Sequence, residues 1–217
     1  MRRFRLRCGL LALLVIAPCA LPAMAEVVVS EELRHYTLDA VTAAELAEQL
    51  IERRRLTDGA RAHGLTEASI ETQYQLHPDA SGQCRPDKLR VQVHIVQTLP
   101  QWTPQQTPPE ALRAQMQRML AALAVHEDGH RRHVLDAASA IERKLAALPA
   151  AINCERARRA AEGVVSRELT RLQARETNYD LATDHGRTQG ALLWVEEAAP
   201  RPRGRPSRRT DANRPLR

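Results

Sequence analysis

Two segments in the first half of the chain alternate apolar and polar residues with a period of two. Ile70 lies in the apolar set of residues 69–77, and Val91 lies in that of residues 88–99. This alternation is typical of strands that bury one face, so it predicts two strands of an antiparallel sheet. Residues 35–38 predict a further, short strand.

A short helix is predicted between these strands. Thr42 is a candidate N-cap, and Glu45 three residues later completes a capping box. Leu46 and Leu50 continue the apolar stripe, which fades near Arg55. The pattern therefore predicts one amphipathic helix of three to four turns.

After Pro100 the apolar residues recur every three or four positions, which predicts long helices. The first is expected to run from an N-cap at Thr107 to about Leu148. Asn153 is expected to cap the second. The link between them is short, so they should form an antiparallel hairpin. The predicted buried stripe of the second helix is Ala161, Val165, Leu169 and Leu172.

Together these elements predict an α+β fold, in which a small antiparallel sheet packs on a long antiparallel helical hairpin. A last apolar run, at residues 191–195, is expected to be an edge strand. An exposed sheet edge could accept a substrate strand, and we expect residues 88–99 to provide that edge.

The N-terminus has the features of a secretory signal. Four arginines among residues 2–7 precede an apolar stretch at residues 9–17 and an A-x-A site that ends at Ala25. The apolar stretch is too short to span a bilayer, so no membrane span is predicted. We divide the chain into a signal peptide at residues 1–25, one domain at residues 26–198, and a disordered Arg/Pro-rich tail at residues 199–217.

Charge is distributed unevenly along the chain. The formal net charge is +6, but the signal holds four arginines and residues 200–217 hold seven, so the body between them is mildly acidic. Aromatic residues make up 3% of the chain, and base-stacking surfaces need them, so no nucleic-acid partner is expected. The tail is expected to make at most a weak contact with anionic surfaces.

Two cysteines remain after removal of the signal, Cys84 and Cys154. In an exported protein a pair of cysteines most simply forms a disulfide. A role as zinc ligands is less favoured, because neither has a C-x-x-C neighbour. We therefore expect a disulfide-bonded protein in the periplasm or secreted to the medium.

The first long helix contains the sequence H-E-x-x-H, formed by His126, Glu127 and His130. Residues four apart on a helix lie one turn above each other, so both imidazoles can reach one ion. The glutamate would lie close enough to take a proton from a water that the metal activates. The motif predicts a zinc site with His126 and His130 as ligands and Glu127 as general base.

The third ligand must come from another part of the chain. His133 is about 10 Å from His126 along the helix axis, too far for both to bind one ion together with His130. If the hairpin turns near residues 149–153, position 130 faces roughly position 171. The candidates beyond that point are Glu176, Asp180 and His185, and the spacing alone leaves the choice open.

The chain resembles a bacterial family, domain-of-unknown-function family 922, described as predicted secreted zinc-dependent proteases. The resemblance covers most of residues 35–195. Its two motifs are H-E-x-G-H at residues 126–130 and Y-D-x-x-T-x-H-G-x-x-Q-G at residues 179–190. Cys84 and Cys154 also match the paired cysteines of that family.

The resemblance implies that His185 is the third zinc ligand, ahead of Glu176. It also implies that Asp180 orients a histidine ligand by a hydrogen bond. The expected function is that of a zincin-like peptidase that acts on a peptide or protein substrate, with Tyr179 as a hydrogen-bond donor to the oxyanion. The alternative is an exported, non-catalytic binding or scaffold protein, whose metal site is structural or vestigial.

Overall fold

The computed structural model describes residues 26–56 and 63–193. The predicted signal, residues 194–195 and the tail lie outside these ranges. The fold is α+β, as predicted. The strands are β1 (Glu26–Leu38), β2 (Leu65–Pro78) and β3 (Cys84–Trp102); the helices are α1 (Ala43–Leu56), α2 (Glu110–Ala146) and α3 (Cys154–Thr183); and a 3₁₀ turn spans Arg187–Gln189.

The three strands form a mixed sheet in the order β1-β3-β2. β2 and β3 are antiparallel neighbours, and β1 pairs parallel to β3, from Glu26 opposite Arg90 to Leu38 opposite Trp102. The prediction of a purely antiparallel sheet is therefore wrong, because α1 separates β1 from the hairpin and no tight turn fixes its direction. The prediction that residues 88–99 offer a free edge is also wrong, because β3 is central.

β1 is much longer than the predicted strand at residues 35–38. It lies at the edge of the sheet, and Leu38 is its one buried residue. Val29 and Leu33 remain 42% and 57% exposed. When a strand is exposed on both faces, apolar residues need not alternate with polar ones, so its sequence carries no period-two signal.

The inner face of β3 packs against the hairpin and forms the main core. Val91 and Ile95 are at most 1% exposed, and they meet a cluster from α2 and α3. A second cluster joins Leu38 and α1 to the N-terminal half of α2. The main cluster contains Val134, Ala138, Ile141, Leu145, Ala161 and Val164. The H-E-x-x-H segment lies on α2 between these two clusters.

The ends of the helices agree only in part with the prediction. α1 follows Thr42, whose hydroxyl accepts from the Glu45 amide at 3.3 Å, and the Asn153 side chain accepts from the Arg156 amide at 2.9 Å. Both caps are confirmed. α2 instead begins after Pro109 with no side-chain cap, so the N-cap predicted at Thr107 is wrong.

The buried stripe of α3 is shifted from the predicted one. Leu169 is 37% exposed, whereas Glu168 before it is buried. Lys144 on α2 donates to Glu168 at 2.6 Å, so a paired carboxylate occupies a place that the apolar pattern assigned to leucine. Residues 191–193 form no strand.

A disulfide joins Cys84 at the start of β3 to Cys154 at the start of α3, which confirms the predicted pairing. Cys84 and Ala151 also exchange two backbone hydrogen bonds, of 2.9 and 2.7 Å. The sheet is thereby tied to the turn of the hairpin. Among the helices of the described ranges, none has the length and apolarity that a membrane crossing requires.

Candidate metal centre

The two histidines of H-E-x-x-H converge from successive turns of α2. Their Nε2 atoms lie 3.3 Å apart, and both residues are buried. The chain folds this way locally because residues 126 and 130 share the face of α2 that α3 covers.

Asp180 on α3 faces the same point. Its Oδ1 lies 3.1 Å from the Nε2 of His130 and 3.3 Å from the Nε2 of His126. Ligands bound to zinc at about 2.0–2.1 Å in a tetrahedron are separated by about 3.3–3.4 Å. The His126, His130 and Asp180 atoms therefore have the spacing of one face of such a tetrahedron, and these residues could hold a metal ion.

The other nitrogen of each imidazole is held by a hydrogen-bonding side chain. The Nδ1 of His126 lies 2.9 Å from the Oε1 of Gln189 in the 3₁₀ turn. The Nδ1 of His130 forms a short contact with the carboxylate of Glu176. Acceptors on Nδ1 fix the tautomer that leaves both Nε2 atoms free to bind a metal.

The carboxylate of Glu176 contacts two histidines, His130 and His133. Its second oxygen lies 2.7 Å from the Nδ1 of His133. Glu176 thus contacts the Nδ1 edge of the His130 ring, whereas Asp180 contacts the Nε2 edge. His130, His133 and Glu176 nevertheless form a second group of mutually close potential ligands.

The pKa values of the two histidines are shifted in opposite directions. Burial lowers the pKa of His126. For His130 burial also acts downward, but the hydrogen bond and charge of Glu176, with Asp180 and Glu127, outweigh it and raise the pKa. The carboxylates that raise the pKa of His130 would equally favour a bound divalent cation.

Glu127 is 2% exposed and lies beside this centre, against the start of β2. Thr66 donates to its Oε2 at 2.7 Å. A Cβ on Gly64 would lie 2.5 Å from its Oε1, so the carboxylate packs directly on the glycine. Burial raises the pKa of Glu127 and makes it a stronger base than a solvent-exposed glutamate.

Tyr179 lies behind His126. The two rings are stacked with centroids 4.9 Å apart, and the hydroxyl donates to the His126 carbonyl at 3.4 Å and accepts from Gln189 at 3.1 Å. The ring fits because residue 129 is glycine, where a Cβ would overlap it. These contacts support a role in holding His126; the predicted role as oxyanion donor stays a prediction.

His185 lies at the edge of the centre, in a left-handed turn after Asp184 ends α3. Its Nδ1 is 3.6 Å from the Oδ1 of Asp180. In the described part of the chain, the close ligand group that includes His126 contains Asp180 and not His185. The ligand role of His185 therefore stays a prediction.

Sequence reasoning missed three residues that shape the centre: Gln189, Thr66 and Gly64. Gln189 belongs to the H-G-x-x-Q-G segment and could have been found there. Thr66 and Gly64 carry no signal, because their contact with Glu127 depends on where β2 passes over α2.

A comparison with family models matches residues 33–186 to the family described as "Bacterial protein of unknown function (DUF922)". The chain belongs to this family. A search of curated proteins and a search of solved structures each found no match. The DUF922 description names no activity, so the function must be argued from the site itself.

Proposed function

We propose that this DUF922 member is an exported zinc-dependent peptidase with a zincin-like centre. The observation that carries the proposal is the convergence of His126 Nε2, His130 Nε2 and Asp180 Oδ1 within 3.1–3.3 Å of one another. Glu127 is buried next in sequence to His126, and the charges of His130 and Asp180 act on its carboxylate. This combination of three ligands and a neighbouring base is that of a catalytic rather than a purely structural zinc site.

We assign the third ligand position to Asp180, in preference to His185, which the family resemblance favours. Asp180 Oδ1 lies within 3.3 Å of both Nε2 atoms, whereas the Nδ1 of His185 lies 3.6 Å from that oxygen and outside the close ligand group. A zinc ion bound there would lower the pKa of a bound water and polarise a peptide carbonyl.

Glu127 would act as the general base and then as the general acid. Its raised pKa suits it to accept the proton of the attacking water and to deliver that proton to the departing amine. Thr66 holds Oε2 in place. His126 and His130 would keep their orientation through Gln189 and Glu176.

The substrate is proposed to be a peptide or protein segment that lies along β2. β2 is an edge of the sheet, and its first residues contact Glu127. An extended peptide added to this edge would pass beside the catalytic carboxylate. Residues 88–99 cannot offer this edge, because β3 lies in the centre of the sheet.

Export to the periplasm or the medium is part of the proposal. The disulfide between Cys84 and Cys154 supports an oxidising compartment. The signal peptide predicted at residues 1–25 also supports export.

The test is cleavage of casein and of a peptide library by the wild type and by Glu127→Gln. We expect cleavage by the wild type, loss of it with a chelator, recovery with zinc, and at least about a 100-fold lower rate in the variant. Equal cleavage by the two proteins would overturn the role of Glu127. No cleavage by either, with zinc bound to both, would favour the scaffold function.

One observation favours that second function. His185 is close enough to Asp180 that a small side-chain movement could bring it to the same ion. Four protein ligands would close the site and make it structural. X-ray absorption of the zinc-loaded protein distinguishes the two functions by the number of bound imidazoles, because two support the peptidase and three support the closed, structural site.

A further inference from the structure

A cavity of about 250 Å³ lies beside the candidate metal centre. One wall is α1, through Ala47, Leu50 and Ile51, and the opposite wall is the chain at residues 191–193. These walls are apolar. Its polar rim is formed by His63, His185 and Arg187.

Two residues that line the cavity adjoin the candidate metal centre. On one side, rim residue His185 lies 3.6 Å from Asp180. On the other, rim residue His63 directly precedes Gly64, which packs on the Glu127 carboxylate. A side chain that enters the cavity would therefore belong to a residue whose backbone passes close to Glu127 and Asp180.

The size of the cavity fits a single side chain. Pockets that bury a whole small-molecule ligand measure about 300–1,000 Å³, and an apolar cavity of about 150 Å³ holds benzene. A volume of 250 Å³ lies between these values and can accept a leucine, methionine or phenylalanine side chain.

The charge of the rim limits the occupant further. None of the described residues that line the cavity is acidic, while Arg187 carries a permanent charge and forms an ion pair with Asp184 at 2.9 Å. A lysine or arginine side chain would therefore find no carboxylate partner among the described residues that line the cavity.

We propose that this cavity is a specificity pocket that binds the large apolar side chain of the substrate residue next to the scissile bond. The inference rests on the proposed peptidase function and adds to it a substrate class. Peptides with leucine, methionine or phenylalanine at that position are preferred over peptides with alanine, and lysine is excluded.

The first test measures binding and needs no cleavage. Peptides that differ only in one residue (leucine, alanine or lysine) are titrated against the zinc-loaded Glu127→Gln protein by fluorescence anisotropy. We expect the leucine peptide to bind at least about tenfold more tightly than the alanine peptide, because several methylene groups are buried, and the lysine peptide to bind most weakly. Equal affinities for the three peptides would overturn the proposal.

The second test fills the pocket. Ala47→Phe places a ring in the cavity, and Ala160→Phe places the same ring at an exposed position of α3 near the hairpin turn, outside the cavity lining. We expect the preference for leucine over alanine to fall to about one in Ala47→Phe and to remain unchanged in Ala160→Phe. An unchanged preference in Ala47→Phe would contradict the assignment.

A third variant tests the pocket independently, in case Ala47→Phe does not fold. Ile51 is 42% exposed at the wall, so Ile51→Asp should fold while introducing a negative charge. We expect its affinity for the lysine peptide to rise above that for the leucine peptide, and no such change would count against the pocket.

The outcomes separate this inference from the peptidase function. Cleavage without preference for a large apolar residue would overturn the pocket and leave the peptidase standing. Selective binding of the leucine peptide without cleavage by the wild type would support the pocket and overturn the peptidase. Crystals that show residues 194–217 or a free apolar molecule in the cavity, with no peptide selectivity, would overturn the pocket alone.

Discussion

His126 and His130 are each held on the nitrogen that faces away from the candidate metal. Gln189 holds the first and Glu176 the second. Such partners usually set both the orientation and the basicity of a histidine ligand. The geometry of the candidate metal centre therefore depends on residues from α2, α3 and the 3₁₀ turn together.

At this scale the ligand assignment predicts a difference between two alanine variants. Asp180→Ala removes an atom at ligand spacing, and we expect zinc affinity to fall by more than about 100-fold. His185→Ala removes a neighbour of that carboxylate, and the loss should stay below about tenfold. Competition with a fluorescent chelator measures both. The opposite order would return the third ligand position to His185.

Gly129 supports a second prediction, about stability. Replacing glycine by alanine inside a helix usually stabilises a protein by about 1 kcal/mol. Gly129→Ala should instead destabilise by about 1–3 kcal/mol, because the new methyl group would overlap the Tyr179 ring. Urea unfolding measures the change.

The control is Gly163→Ala on α3, where the new Cβ would meet only the end of the Arg167 side chain, at 3.0 Å. That variant should be neutral or more stable than the wild type. In a protein that already carries Tyr179→Ala, the cost of Gly129→Ala should disappear. Persistence of the cost would place its cause elsewhere.

The sequence predicts the histidine pair of the centre, because a spacing of four on a helix fixes their relative position. It does not predict the role of Asp180. Position 130 was expected to face about position 171, whereas it meets Glu176 and Asp180. The register between two helices depends on their packing along the whole interface, which no local pattern encodes.

The long hairpin of α2 and α3 is held near its turn by a buried carboxylate. Glu168 accepts from Lys144 at 2.6 Å and also pairs with Arg171. The hydrogen bond from Lys144 and the charge of Arg171 lower the pKa of Glu168. Glu168 thus stabilises the hairpin while it is ionised.

At the scale of elements we predict that Glu168→Gln destabilises the protein by about 1 kcal/mol at pH 7, the usual contribution of a charged hydrogen bond that is partly open to water. The pKa of Glu168 is below its ordinary value of 4.5 in the folded protein. Its contribution is therefore present above about pH 4.5 and is lost as the pH falls through the lowered pKa.

The matched control is Asp136→Asn, which breaks the exposed pair of Asp136 with Arg175. Exposed pairs contribute little, so its effect should be near zero at every pH. Thermal unfolding from pH 3 to 7 compares the three proteins. A difference between Glu168→Gln and the wild type that is constant over this range would contradict the assignment.

The elements themselves were predictable to different degrees. β3 and α2 bury one face, so their periods identify them. β1 is almost entirely exposed, and only its last few residues were predicted. The stripe of α3 was shifted because Glu168 is buried as part of an ion pair, which an apolar pattern cannot register.

For the whole molecule, the disulfide is the covalent link between the sheet and the hairpin. Cys84 and Cys154 are 70 residues apart, and closing a loop of this length contributes about 4 kcal/mol in the chain-entropy model. We expect the Cys84→Ser/Cys154→Ser double variant to lose about 2–5 kcal/mol of unfolding free energy.

Urea unfolding with and without a reductant provides the control. Reduction should destabilise the wild type by a similar amount and leave the double variant unchanged. If reduction leaves the wild type as stable as before, the disulfide contributes little to this fold.

The α+β class was predictable from the change of period near Pro100, but the direction of β1 was not. β1 reaches β3 across α1 and pairs parallel to it, so its direction depends on the whole topology. The same topology brings Gly64 and Thr66 onto Glu127, so the sequence prediction contained neither of these two contacts of the candidate general base.

We propose that one metal ion binds between His126, His130 and Asp180, beside Glu127. Anomalous diffraction at the zinc edge from crystals of the zinc-loaded protein locates the ion. We predict one strong peak about 2 Å from both Nε2 atoms and from the Asp180 carboxylate. A peak between His130, His133 and Glu176, or no peak, would contradict it.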